Sequence, residues 1–312
     1  MQKKIRRYIE IEYGIKIKKI EIAPRQFVAE TWFIETDSGI KYFVKVVEKP
    51  LFIPEIIKSL PVLDAMHKAG INRINWPLRT ISGKLFLKKS TKLIVLYNAI
   101  DAPQSYNYSE KVLGRLLAKI HEVTKQIKIS TPEENYEFTY KDLFEYRFNG
   151  IINGQLVTDD INKQFKKLLR EYEKRIIKEY KRLANCSKKM KRLDLPKVIT
   201  HGDAGGNALV KSFTDIYIID WDGILFAPRE RDIWVPGEKF LQGYRDVVPD
   251  FSPNPTSIAF YILTYYFRSI VHYMGEIISE KSDEHRKKNL YDIEHELFKG
   301  WMVPYLEQID FV

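Results

Sequence analysis

The 312-residue chain reads as an α+β protein. A small β-rich lobe over residues 1–98 leads through a short connector at 99–103 into a larger helical lobe over 104–312. Three observations predict this class. Runs of β-branched and aromatic residues crowd the first hundred positions. Apolar residues at helical spacing dominate everything after them. Only the segment 198–226 interrupts that spacing with short β-like runs, a compact β insertion in the helical lobe.

FVAETWFIETD (Phe27 to Asp37) and KYFVKVV (Lys41 to Val47) are strand-like and are separated by the turn pair Ser38-Gly39, a hairpin signal. A helical stretch from about Pro54 to Lys68 ends at Gly70. LRTISGKLFLKKSTKLIVLYN then supplies two or three strands, with a turn at Ser82-Gly83. Residues 1–98 are therefore expected to hold strands and one helix. Beyond the connector, Ser109 is placed to cap a helix whose Val112, Leu113, Leu116, Leu117, Ile120 and Val123 share a face. Helical patterns recur at about 140–148, 160–192, 256–280 and 284–300, and KVIT, NALVK and DIYIIDWD form the β insertion.

Composition narrows the function. At 45% hydrophobic and 13% aromatic residues the chain can bury a sizeable core. The single cysteine, Cys186, excludes an internal disulfide framework and suggests a reducing compartment. No apolar run approaches the ~18 residues of a membrane span. The opening MQKKIRRYIEIEYGIKI lacks a signal-peptide core. The expectation is a soluble, cytoplasmic protein with no membrane partner. The net charge of +10 is concentrated: residues 160–197 hold 14 lysines and arginines against 5 acidic residues, whereas residues 250–312 hold 6 against 10. FKKLLREYEKRIIKEYKRLANCSKKMKRL reads as an amphipathic helix with a solvated cationic face, which disfavours nucleic acid as the partner.

The chemistry gathers in ITHGDAGGNALV, residues 199–210, and in the strand that follows it. Ile216 to Ile219 drive a strand into Asp220-Trp221-Asp222-Gly223. Pairing that strand with 208–210 brings Asp220 close to Asn207. A carboxylate and an amide oxygen suit Mg²⁺, a hard cation that takes few protein ligands and leaves room for phosphate oxygens. Asp203 is suited to orient and deprotonate an attacking hydroxyl, and His201 to buttress the loop.

HGD…N followed by IDWD resembles the catalytic loop and metal aspartate of the aminoglycoside phosphotransferase family, relatives of the protein kinases. IYIIDWDGILFAPRERDIW (216–234) is most similar to its spectinomycin phosphotransferase branch. YFVKV, LIVLYNAIDAP (93–103) and LGRLLAKIHEV (113–123) follow the same order along the chain. The resemblance implies a protein-kinase-like two-lobe fold. It implies Asp203 as catalytic base, Asn207 and Asp220 as Mg²⁺ ligands, and Lys45 on the α- and β-phosphates of ATP or GTP. Glu55 is then the candidate partner of Lys45, with a surface glutamate as the competing account. The main chain from Leu96 through Tyr97 and Asn98 to Ala99 would bind adenine. Asp232 matches the structural aspartate beneath the catalytic loop. Asp222 either assists the metal or is an exposed turn residue.

Four departures qualify the resemblance. Asp203 and Asn207 are separated by three residues where relatives usually have four, with Gly205 and Gly206 to let the shorter backbone reach. The segment IEIAPRQFVAETWF (20–33) has no glycine where relatives cover the nucleotide, so Arg25 and Gln26 either contact phosphate or obstruct it. Glu55 is the obvious acidic candidate for Lys45, but its match to the family's glutamate can shift by a residue or two. The helix Ser257 to Gly275 carries no carboxylate for a polycationic acceptor, leaving Glu238, Asp246 and the C-terminal acids to compensate. Its Tyr261, Tyr265, Tyr266, Phe267 and Tyr273 read as core. The leading expectation is a Mg²⁺-dependent kinase of a small-molecule hydroxyl, an aminoglycoside- or spectinomycin-like antibiotic being its best-resembled acceptor. A choline-, sugar- or amino-alcohol-like acceptor is the second reading. A weakly catalytic binding or structural protein, similar to spore-coat kinase relatives, is the third.

Overall fold

Alternating apolar residues close a five-stranded antiparallel sheet from β1 (Ile17–Ile22), β2 (Ala29–Thr36), β3 (Lys41–Val47), β4 (Leu87–Lys89) and β5 (Lys92–Asn98), in the order β1-β2-β3-β5-β4. The computed structural model describes residues 2–23, 29–234 and 237–309. Arg25 and Gln26 of the glycine-free segment lie outside the described residues, as does the expected strand start at Phe27. β2 and β3 turn through Ser38-Gly39 as the sequence predicts, and their register sets Thr31, Lys45 and Val95 abreast. Side chains alternate across a strand. Val44 and Val46 accordingly join the core on one face of the sheet, with Trp32, Ile34, Ile94 and Leu96. Phe43 and Lys45 turn to the other face.

The expectation of one helix in this region is corrected by α1 (Gln2–Tyr13), which precedes α2 (Ile53–Lys68). The basic residues of the opening segment mask a helical apolar spacing. Ile5, Ile9 and Tyr13 recur every fourth residue and pack into the sheet core. Helix α2 ends at Gly70 and packs on the short turn at Trp221–Gly223.

After the connector, α3 (Glu110–Val123) starts at Ser109, whose hydroxyl accepts the Val112 N–H at 3.3 Å. The β insertion forms two antiparallel pairs: β6 (Lys197–Thr200) with β9 (Leu225–Pro228), and β7 (Ala208–Ser212) with β8 (Asp215–Ile218). The short strand β9 and the helix α6 (Glu238–Arg245) add to the expected elements. Contacts divide the chain into two compact units, one of Met1–Glu134, Lys197–Asp232 and Pro236–Phe251, the other of Asn135–Pro196, Ile233–Val235 and Ser252–Val312.

The second unit is helical: α4 (Lys141–Ile152), α5 (Asp160–Met190), α7 (Pro255–Ile277), α8 (Asp283–Asp292), a π-helical turn at Ile293–Phe298 and α9 (Met302–Gln308). Asp159 caps α5 and Asn254 caps α7, each accepting the N–H three residues on. Phe165, Ile176 and Leu183 of α5 meet Phe260, Tyr266 and Phe267 of α7 in one core. Tyr261, Tyr266 and Phe267 of α7 are thus core, as their spacing suggests, while Tyr265 and Tyr273 are half-buried at its margin. The opposite face of α5 exposes Lys167, Lys174, Lys181 and Lys188. Among the described residues no helix is long and apolar enough to cross a membrane.

Candidate active site

The pocket-facing side of the sheet carries Phe33, Phe43, Lys45 and Tyr97. Together with Leu63 of α2, residues of the connector, and Leu209 and Ile219 of the β7–β8 region, they line a cavity of 340 Å³. That volume is in the range of a small-molecule or cofactor site. The rings of Phe33 and Phe43 lie 5.5 Å apart and those of Phe43 and Tyr97 6.4 Å apart. One wall is therefore aromatic and the far end charged. Burial and the nearby carboxylates push the Tyr97 hydroxyl well above its ordinary pKa, so it stays protonated.

The charged end is a triad. Lys45, only 3% exposed, has its Nζ 2.9 Å from Asp220 Oδ1 and 2.5 Å from Asp222 Oδ2. Burial opposes the lysine's charge, but Asp222 and Asp220 together raise its pKa above the ordinary value. Asp220 is also pushed up by burial, yet the Lys45 charge holds it below the usual carboxylate value. For Asp222, burial and the neighbouring Asp220 prevail over Lys45 and lift it. Asp220 adopts a left-handed backbone (φ 64°, ψ 55°), a conformation that side-chain-bearing residues enter at a cost and that gathers at functional sites. The turn after it is anchored by Trp221, whose Nε1 donates to the Ile218 carbonyl at 3.0 Å.

The loop 201–207 is fixed from beneath. Asp232 is fully buried and accepts the main-chain N–H groups of His201 (2.9 Å) and Gly202 (2.5 Å), with His121 Nε2 at 3.0 Å. His201 Nε2 donates to the Ile219 carbonyl at 2.8 Å, while its Nδ1 accepts the Asp203 N–H at 3.1 Å. These partners select the neutral imidazole with its proton on Nε2. The ring thereby joins the loop to the residue preceding Asp220. Asn207 Nδ2 donates to Asp203 Oδ2 at 3.2 Å, and the Ile219 N–H donates to the Asn207 carbonyl at 2.9 Å. Pairing of β7 with β8 thus brings Asn207 beside the approach to Asp220, as the hairpin reading requires. Among the described residues, no group of three or more histidine, cysteine or carboxylate side chains is set to hold a metal ion. An oxygen site here would rest on few protein ligands.

Comparison with known proteins fits this geometry. Residues 19–239 match the family model APH, described as the phosphotransferase enzyme family. The chain belongs to that family. It is a small-molecule kinase with the kinase-like fold of the aminoglycoside phosphotransferases. Among solved structures, spectinomycin phosphotransferase APH(9)-Ia in complex with ADP and spectinomycin is 22% identical, with a TM-score of 0.77 over 99% of this chain and 98% of that one. A microcompartment-associated aminopropanol kinase is 14% identical, with a TM-score of 0.70 over 99% of both chains. An aminoglycoside phosphotransferase from Alicyclobacillus acidocaldarius is also 14% identical, with a TM-score of 0.62 over 97% and 95%. At such identities the likeness speaks for the fold. No curated protein sequence gives a significant match.

Against the family pattern, one expected partner sits elsewhere. Glu55 is exposed in the first turn of α2, and both acidic partners of Lys45 come from the 220–222 turn instead. The main chain expected to meet adenine is partly engaged within the fold. The Leu96 carbonyl accepts from Leu78, the Asn98 N–H donates to Trp76, and the Ala99 N–H donates to Lys41. Tyr97 and Asn98 nevertheless line the cavity, as do Ile100, Ala102, Pro103 and Gln104 after them. Residues 76–78 cover the part of the β5 edge that β4 leaves unpaired. Asp222, left open between a metal role and an exposed turn, is half-buried against Lys45. Glu238 and Asp246 pair with Arg245 and with Lys111 and Arg115, so their charge is already matched.

Sequence reasoning missed several supports of the phosphotransferase loop. Gln104 and Tyr108 donate to the carbonyls of Gly206 and Gly205. Arg231 spans from Thr200 Oγ1 to the Gly223 carbonyl, at 2.8 and 2.9 Å. His121, buried between Asp232 and Tyr244, carried one signal: a histidine among the apolar positions of an amphipathic helix. Gln104 and Tyr108 carried none, because their partners are main-chain atoms about a hundred residues away.

Proposed function

We propose that the protein transfers the γ-phosphate of ATP or GTP to a hydroxyl of a small molecule, with Mg²⁺ as cofactor. In this reading residues 1–98 carry the nucleotide-binding lobe, 99–103 the connector and 104–312 the catalytic and acceptor-binding lobe. One observation carries it. Lys45 of β3 is paired with Asp220, whose turn His201 and Ile219 tie to the loop of the hydrogen-bonded Asp203 and Asn207, beside an aromatic-walled cavity. A cation, a carboxylate–amide oxygen pair and an accessible base are the parts phosphoryl transfer needs.

Asp203 holds the acceptor hydroxyl and takes its proton. The acceptor oxygen bonds to the γ-phosphorus as the bond to the β–γ bridging oxygen breaks, releasing the nucleoside diphosphate. Lys45 neutralises phosphate oxygens, and the aromatic wall receives the base. Asp220 and Asn207 are all-oxygen donors and few in number, a set that fits Mg²⁺ and leaves its other positions to phosphate and water. When bound, the ion offsets the charge of the transferring group. Asp232 and His201 keep the loop in register for this geometry.

For the acceptor, a spectinomycin-like antibiotic is favoured by the likeness to APH(9)-Ia over nearly the whole chain. An amino alcohol is the second reading. It draws on the aminopropanol kinase and on α7, whose one carboxylate, Glu276, is already paired with Lys281 and His285. Phosphate transfer from ATP and from GTP, screened over hydroxylated antibiotics and amino alcohols, tests both. Asp203→Ala is expected to lose about 10²–10⁴-fold in rate while staying folded. Equal inertness of wild type and variant, with no Mg-nucleotide binding by either, would overturn the enzyme reading in favour of a kinase-fold binding or structural protein.

A further inference from the structure

We propose that Asp222 is the residue that positions Lys45, in the place a helix-borne carboxylate would take, and that Asp220 is thereby left for the metal. The proposal rests on the functional reading above and adds a division of labour within the IDWD segment.

A lysine this buried needs a lasting counter-ion. Helix α2 cannot supply one. Its buried positions are Ile56, Ser59, Leu60, Val62, Leu63 and Met66, none of them acidic. Its carboxylates are Glu55, which is exposed, and Asp64, which is held by Lys68 and Arg79. What α2 presents to the cavity is Leu63. The remaining partners of Lys45 are Asp220 and Asp222, with Asp222 the nearer at 2.5 Å and the less exposed, 24% against 37%.

The turn fixes Asp222 in that position. The left-handed backbone at Asp220 reverses the chain, Trp221 is locked by its bond to Ile218, and Arg231 holds the Gly223 carbonyl. Two carboxylates on one ammonium leave a surplus negative charge. A divalent cation drawing on the more exposed Asp220 removes the surplus and leaves one carboxylate to hold the lysine. Lys45 is then aimed by the same turn that carries the metal ligand, rather than by the helix.

The test uses the full-length protein with two readouts. One is Mn²⁺ binding in the presence of ADP, followed by electron paramagnetic resonance without turnover. The other is steady-state ATP turnover, with water or an identified acceptor. Asp220→Asn is expected to weaken Mn²⁺ binding at least about tenfold, and Asp222→Asn to change it less than about twofold. Asp222→Asn should lower kcat about tenfold with KM for Mg-ATP retained. That loss should vanish in a Lys45→Met background, the signature of coupled residues. Asp222→Glu should recover part of the rate, and Glu55→Gln should match wild type. Loss of Mn²⁺ binding in Asp222→Asn would make Asp222 a metal ligand and overturn the proposal. So would an undiminished loss in the Lys45→Met background, or an effect of Glu55→Gln as large as that of Asp222→Asn. Failure of the wild type to bind Mn-ADP would sink the functional reading, and this inference with it. Wild-type binding and turnover with an indifferent Asp222→Asn would sink the inference alone.

Discussion

Asp232 holds His201 by its main chain rather than its ring, accepting the N–H at 2.9 Å while the imidazole is left to bridge Asp203 and Ile219. The same carboxylate accepts the Gly202 N–H. One buried charge therefore fixes the start of the loop that carries Asp203. Asp232→Ala strands two main-chain donors and the His121 ring in a dry site. The expected cost is about 3–5 kcal/mol of stability, read by denaturant unfolding. A folded fraction should retain nucleotide binding but have a lower kcat, because the loop rather than the cavity loses its anchor.

The same residue sets an acid limit. Burial alone would raise the Asp232 pKa, but the His121 hydrogen bond and the neighbouring positive groups hold it below its ordinary value of 3.8. A carboxylate depressed in the folded state gives its full stabilisation above the unfolded pKa and loses it as pH falls through the folded one. Unfolding free energy should therefore drop as pH falls below about 4. The gap between wild type and Asp232→Asn should narrow over that range. A gap independent of pH would contradict the assignment.

The cavity's aromatic wall gives a separate expectation. Phe43 lies between Phe33 and Tyr97 and is two residues from Lys45 on the same face of β3. If it receives the nucleotide base, Phe43→Ala removes stacking that is equal in ground and transition states. KM for the nucleotide should then rise about tenfold with kcat retained, from a stacking contribution of about 1–3 kcal/mol per base. Steady-state kinetics at saturating acceptor separate the two constants.

The fold was legible wherever a periodicity was strong: the β2–β3 hairpin, α2 with its Gly70 stop, the Ser109 cap and the long α5. Helix α1 escaped because its lysines and arginines interrupt the apolar positions. β9 escaped because Leu225–Pro228 is short and makes sense only once β6 is beside it. Within the candidate site, the pairing that draws Asn207 toward Asp220 follows from local pattern. The partner of Lys45 does not. It joins positions about 175 residues apart, and the nearby Glu55 was the more visible acid. Position along the chain cannot tell a helix face turned to solvent from one turned to the cavity.

The cationic face of α5 is predicted to be solvated rather than structural. Lys167, Lys174, Lys181 and Lys188 follow at seven-residue spacing, are all exposed, and form no ion pair among the described residues. Replacing the four with glutamine should change unfolding free energy by no more than about 0.5 kcal/mol per site and leave turnover intact. Thermal unfolding and kinetics of the quadruple variant check this.

The glycines of the 201–207 loop have separable duties. Gly205 and Gly206 were expected to lend backbone freedom, yet the left-handed φ, +89°, belongs to Gly202. A Cβ there would also meet Arg231 Nη2 at 2.5 Å, so Gly202→Ala should destabilise the fold itself. At Gly206 the obstacle is Asp203: a Cβ would lie 2.9 Å from its Oδ1 and 3.4 Å from its Cγ. A carboxylate end can swing aside, so Gly206→Ala should fold with near-native stability. The group that gives way is the proposed base, and a displacement near 1 Å can cost about 10²-fold in rate. At Gly205 the nearest atom is Tyr108 Oη at 3.4 Å, an ordinary contact, so Gly205→Ala should lose far less. Turnover and melting temperature measured together on the three variants distinguish these duties. A Gly206→Ala enzyme with wild-type kcat would show that Asp203 need not stay where this loop holds it.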